Sequence, residues 1–277
     1  MVADQLAYLG RNVRDQLQGF GLFARFAWSA LRWSMRGAWS FGRVRLLMPQ
    51  LYMIGTTSIP VVMLVGAFVG AVLGIESYAQ LEAIGQETRL GGIISVSVVK
   101  QIGPVLAAVM IAGRVGGAVS AELGTMRVTE QLDALRVMGA DPVAYLVVPR
   151  VLACVLMLPV LTVFSDVLGI FGAWLVVVRG FEVDAAAYWQ FTERFVSNWE
   201  VFVGLGKSVV FGLAIGLISC FKGFYCQPGA AGVGRAATDS FVTSFIAIII
   251  SNFFLAKFFN DLYIMIYGHG GPTAFSG

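Results

Sequence analysis

The sequence predicts an all-α integral membrane protein. It should hold five transmembrane helices, an N-terminal amphipathic interfacial helix ahead of them, and a short polar helix between helices two and three. Three observations predict this. Of 277 residues, 58% are hydrophobic and 13% charged, with mean hydropathy +0.80; a soluble domain this apolar would expose too much hydrophobic surface to stay dispersed. Five apolar runs are long enough to span a bilayer. One stretch, Ala112 to Pro142, leaves the apolar pattern and becomes charged in a regular way. We divide the chain into an N-terminal interfacial segment, residues 1–50, and a membrane domain, residues 51–277.

Residues 1–50 carry seven arginines (11, 14, 25, 32, 36, 43, 45) against Asp4 and Asp15. Phe20, Phe23, Phe26, Trp28, Leu31, Trp33 and Trp39 stand between them without a run of spanning length. Interleaved aromatic and basic residues suit helices lying at a membrane surface. That surface accounts for the basic charge, so no nucleic-acid partner is expected. No signal-peptide pattern precedes the first span.

The first span covers about Tyr52 to Ile75 and holds Gly66, Gly70 and Gly74 at four-residue spacing, a small-residue face for close helix contact. The second, about Gly92 to Val119, contains Pro104. The third, about Leu146 to Val178, contains Pro149 and Pro159 and exceeds what a bilayer requires, so it tilts, kinks or protrudes. The fourth covers about Val201 to Phe221, with Gly212 and Gly216; the fifth covers about Phe241 to Tyr267. With the N-terminus in the cytoplasm, inside segments hold thirteen Lys and Arg, including Lys222 and Arg235, against Arg89, Arg179 and Arg194 outside. That asymmetry orients the chain and puts the charged stretch in the cytoplasm.

Within that stretch, Val128, Leu132, Leu135 and Met138 form one helical stripe, with Glu130, Asp133 and Arg136 off it. Gly139 suits the position after a helix end and Pro142 forbids continuation. Pattern alone leaves two readings: a linker helix on the membrane surface, or a helix that docks into a groove on a soluble partner.

Catalytic patterns are absent. No Gly-rich loop closes with Lys-Ser/Thr, and the run Gly229 to Gly234 follows no strand. One histidine, His269, and three cysteines, Cys154, Cys220 and Cys226, give neither a metal set nor a disulfide framework. The chain is therefore expected not to be an enzyme by itself. The informative residues are charges inside apolar spans: Lys100, Lys207, Lys257 and Asp166. Such charges are costly in a bilayer and usually face a protein interior or a cavity. The three lysines lie six to ten residues from the outer ends of their spans, roughly 9 to 15 Å deep at about 1.5 Å per residue. They either snorkel outward, with Asp166 paired to one of them, or line an outward cavity that holds an anionic lipid head group. Glu76 and Tyr78, at the outer end of span one, are candidates for its entrance.

The charged stretch contains Gly113-Arg114-x-Gly116, Ala121-Glu122-Leu123-Gly124, Met126-Arg127-x-Thr129-Glu130-Gln131-Leu132-Asp133-Ala134-Leu135 and Met138-x-x-Asp141-Pro142. This run resembles the signature of the MlaE/YrbE family, the permease subunits of lipid-transporting ABC systems that work with MCE proteins. Gly103-Pro104-Val105, Pro149-Arg150, Lys207-Ser208-Val209-Val210-Phe211 and Gly232-Val233-Gly234-Arg235-Ala236 extend the resemblance from about Leu51 to about Phe254.

The resemblance implies a homodimeric, multi-pass permease of a bacterial inner membrane. Its coupling helix, about Thr125 to Gly139, docks on a cytoplasmic ABC ATPase through Glu122, Arg127, Glu130 and Asp133. ATP is bound by that partner, so this chain needs no cofactor of its own. A periplasmic MCE-domain protein exchanges lipid, with phospholipid the expected class, with a cavity that includes Lys207, Lys100, Gln101, Glu76 and Tyr78. Gln101 departs from the family pattern, where relatives often carry Glu in the Glu-x-Gly-Pro context. The competing classes are an ATP-independent channel or carrier, and a scaffold that only anchors partners.

Overall fold

The computed structural model describes residues 2–37 and 41–267. His269 and Trp39 lie outside them, as do the side chains of Arg11, Arg36 and Arg43. Among the described residues all regular structure is helical. Helix α1 (Val2–Gly37) precedes five spans, Arg45–Glu82, Glu87–Val128, Val143–Gly180, Asn198–Phe224 and Ala230–Tyr267. Each extends past its apolar run at one or both ends. Span three, at 38 residues, is about 57 Å long, well beyond the roughly 30 Å hydrocarbon core of a bilayer. Two short helices lie between spans: α2 (Gln131–Val137) after span two and α3 (Ala185–Phe195) after span three.

The spans are not uniform α-helices. Widened π-turns occur at Val98–Ile102 and Val143–Val147, each ending two residues before a proline, Pro104 and Pro149. A proline offers no N–H to the carbonyl four residues back and its ring crowds that carbonyl; a local widening of the helix accommodates both effects.

Glycines set the packing. On span one a Cβ at Gly70 would lie 1.9 Å from the Gly169 carbonyl oxygen of span three, and one at Gly66 would lie 2.6 Å from that of Ser165. Spans one and three therefore meet backbone to backbone, as the spacing of Gly66, Gly70 and Gly74 predicts. Gly212 meets Cys154 of span three in the same way, while Gly204 and Gly223 of span four meet Val99 and Ser120 of span two. Ile111, Leu123, Leu158, Leu161, Phe211 and Ile215 fill the core between these seams. Helix α1 buries Phe26 and Ala30, with Phe26 against Phe221, Phe224 and Tyr225 at the end of span four.

Candidate functional site

The first cluster of charges grows out of Pro104. Without an N–H at residue 104, the carbonyl of Lys100 lacks the donor four residues ahead. Span four supplies one. Lys207 Nζ donates to Lys100 O at 3.0 Å and to Gln101 Oε1 at 2.5 Å. The close approach of Gly204 to Val99 holds the two spans near enough for this reach. Lys207 is only 1% exposed, so it does not snorkel; its ammonium is turned into the bundle. No carboxylate pairs with it among the described residues. Lys100 is half-exposed and stands 3.9 Å from Glu200. Lys100, Gln101 and Lys207 share a cavity of about 460 Å³ with Ser97 and Asn260, walled by Val96, Ile102, Val203 and Ala256.

The structure thus brings together three of the five lipid-site candidates. Glu76 is exposed and Tyr78 stacks on Phe181 with ring centroids 4.0 Å apart; neither lines this cavity. Lys257 is exposed. The expected pairing of Asp166 with a lysine does not form. Asp166 packs on Gly103, and its Oδ1 is buried with no hydrogen-bond partner among the described residues. Sequence reasoning missed Ser97, Glu200 and Asn260. Asn260 had a signal, since it interrupts the last apolar span beside Asp261.

The second cluster lies on the loop between spans two and three. The single helix expected over Thr125 to Gly139 is two. Span two ends at Val128, Glu130 takes a left-handed φ of 60°, and α2 begins at Gln131. The predicted stripe is divided accordingly: Leu132 is fully buried, whereas Val128 and Met138 are exposed. The stop is as expected. Gly139 has φ 77°, its N–H bonds Arg136 O at 3.0 Å, and Ala140 N–H bonds Leu135 O at 3.0 Å, the paired bonds of a Schellman end. Asp141 then caps span three through the N–H of Val143 at 2.8 Å and accepts from Trp33 Nε1 of α1 at 2.9 Å.

Asp133 sits between two arginines, 3.0 Å from Arg127 and 2.7 Å from Arg136. Glu122 is engaged inside the chain, 2.7 Å from Arg150 of span three, whose side chain is 4% exposed. Val137, 89% exposed, and Met138 form an apolar tip on this well-braced loop.

Four spans joined by glycine seams with a fifth packed against them, charges turned into a cavity and a braced loop that displays an apolar tip are the features of a multi-pass membrane permease. The chain belongs to the MlaE permease family. Residues 47–258 match that family's model, described as Permease MlaE. The chain is 39% identical over 251 residues to a probable ABC transporter permease protein of Rickettsia conorii, covering 91% of this chain and 96% of the relative. It is 44% identical over 217 residues to a probable ABC transporter permease protein of Synechocystis, covering 78% and 82%. It is 32% identical over 256 residues to the intermembrane phospholipid transport system permease protein MlaE of Haemophilus influenzae, covering 92% and 97%.

Proposed function

We propose that this permease moves phospholipid between a bacterial inner membrane and a periplasmic MCE-domain partner, as a homodimer driven by a separate cytoplasmic ATPase. One observation carries the substrate class. Lys207 is a buried ammonium with no carboxylate paired to it among the described residues, beside Lys100 in an apolar-walled cavity. A buried charge without a counter-ion is costly, and a lipid phosphate bound in the cavity would supply one. The apolar walls suit the start of an acyl chain. The name of the Haemophilus relative, a phospholipid transport permease, agrees with this class.

Coupling is assigned to the loop of α2. The exposed Val137 and Met138 at the end of α2, with Glu130 at its start, form the surface that enters a groove on the ATPase, which holds the ATP. Arg127 and Asp133 brace that surface, and Glu122 passes its displacement to span three through Arg150. The Trp33–Asp141 bond extends the same connection to α1. The N-terminus and this loop then face the cytoplasm, and the Lys207 cavity lies nearer the periplasmic side.

The test is lipid mass spectrometry of the purified complex carrying Lys207→Gln. Glutamine keeps a donor for the Lys100 carbonyl and removes the charge. Phospholipid retained per complex is expected to fall about tenfold, the loss of one charge-assisted contact. Retention equal to that of the unmodified complex would reject the phospholipid reading.

A further inference from the structure

The turn joining spans four and five takes no part in the function proposed above. Gly229 has φ 89°, and a Cβ at Gly232 would lie 2.0 Å from the Gln227 carbonyl oxygen. This tight return folds the start of span five against the end of span four. It leaves a cavity of about 270 Å³, with Phe221, Lys222 and Tyr225 on one side and Arg235, Ala236 and Asp239 on the other. Lys222, Arg235 and Asp239 make no ion pair or hydrogen bond through their side chains among the described residues. Two cations and one carboxylate thus line a space that none of the described residues fills.

Its position narrows the ligand. Cys226, which also lines the cavity, packs on Gly124 near the end of span two, so the cavity opens on the same side as α2. Lys222 is fifteen residues from Lys207 along one helix, about 22 Å. The two sites therefore lie toward opposite ends of span four. Basic pockets between membrane helices, at the level of the head groups, suit lipid phosphates. Two cations supply charge-assisted bonds to one phosphate. The carboxylate of Asp239 disfavours a bare dianion and suits a head group that carries a donor. We infer that this cavity is a second lipid site: it holds a phospholipid head group of the leaflet beside the α2 loop, with phosphate on Lys222 and Arg235 and an amine or hydroxyl on Asp239. This lipid is a fixed ligand that joins spans four and five to the end of span two. The inference does not depend on what the Lys207 cavity carries.

Cys226 provides the readout. It is half-buried at the cavity, whereas Cys154 and Cys220 are buried. Burial raises its thiol above the ordinary value, with Arg127 opposing, so maleimide labelling is followed at alkaline pH. The full chain is placed in nanodiscs of phosphatidylcholine alone, or with phosphatidylethanolamine or phosphatidylglycerol added; a detergent sample receives inorganic phosphate instead. Either donor-bearing lipid is expected to slow labelling about tenfold relative to phosphatidylcholine. Arg235→Gln, and independently Lys222→Gln on the other helix, should remove the protection, while Arg235→Lys should keep most of it. Equal labelling in all three bilayers, or protection that survives both glutamine variants, overturns the site. Protection by inorganic phosphate without protection by lipid overturns the lipid assignment in favour of a soluble phosphate ligand.

Discussion

Lys207 answers a defect made by another residue. Pro104 leaves the Lys100 carbonyl without the donor four residues ahead, and the ammonium of Lys207 fills that vacancy from span four. The two residues should therefore be energetically coupled. Lys207→Met removes the donor and is expected to lower the unfolding temperature in detergent. Pro104→Ala in the same chain restores a backbone N–H and should recover about 1 kcal/mol, the value of one hydrogen bond. Strict additivity of the two changes would show that the carbonyl is satisfied in some other way. Arg150 presents a similar dependence. Its side chain is 4% exposed and Glu122 is its ion-pair partner. Glu122→Gln is expected to destabilise the protein by about 2 kcal/mol, less than for a fully buried pair because Glu122 is itself half-exposed. A purely docking role for Glu122 would instead leave thermal unfolding unchanged and lower only ATPase-driven transport.

At the scale of elements, the α2 loop separates what a sequence displays from what it conceals. Gly139 and Pro142 announce the stop, and the Schellman bonds at Gly139 follow from it. The break at Glu130 has no such marker, because neither glycine nor proline stands there. Val128 and Leu132 keep helical spacing across it, so periodicity runs through the turn. The break is dictated by tertiary packing, since Leu132 reaches full burial only when α2 is redirected from the axis of span two. The same limit applies to the cavity. Lys207 is visible as a charge in an apolar span, but its partner Gln101 is 106 residues away, and only the glycine seams bring them together. The left-handed Glu130 permits a test that separates shape from charge. Asparagine tolerates φ near 60° and valine does not. Glu130→Asn should keep the loop folded and show what the charge contributes to ATPase coupling. Glu130→Val should strain the turn by about 1–2 kcal/mol and weaken ATPase binding in a pull-down. Equal ATPase capture by both variants would mean that the turn has no part in docking.

For the whole molecule, the seams decide which parts move together. Spans one, three, four and two are joined through glycines with no space for a side chain, and interiors packed this closely transmit displacement rather than absorb it. Span five differs. Phe253, Phe254 and Phe258 are exposed along it, and its polar tie to the bundle is Ser240, which meets Ser219 at 3.0 Å and Gly116 O at 3.3 Å. Displacement of any one of these four spans is therefore passed to the other three as a block, while span five packs on them through side chains, with Phe259 against Gly206 of span four. The glycines allow this to be tested. Gly70→Ala places a methyl group 1.9 Å from the Gly169 oxygen, so spans one and three must separate by more than 1 Å. The expected loss is about 3 kcal/mol or more, from broken contacts along the seam. Gly234→Ala is the matched control within the long helix of span five, where nothing lies within 4 Å of the new methyl. Alanine there should stabilise by about 0.5–1 kcal/mol through its better helix propensity. Thermal unfolding in one detergent compares the two directly. A Gly70→Ala protein as stable as the unmodified chain would mean that spans one and three slide freely, and the block could not then carry force from the loop to the Lys207 cavity.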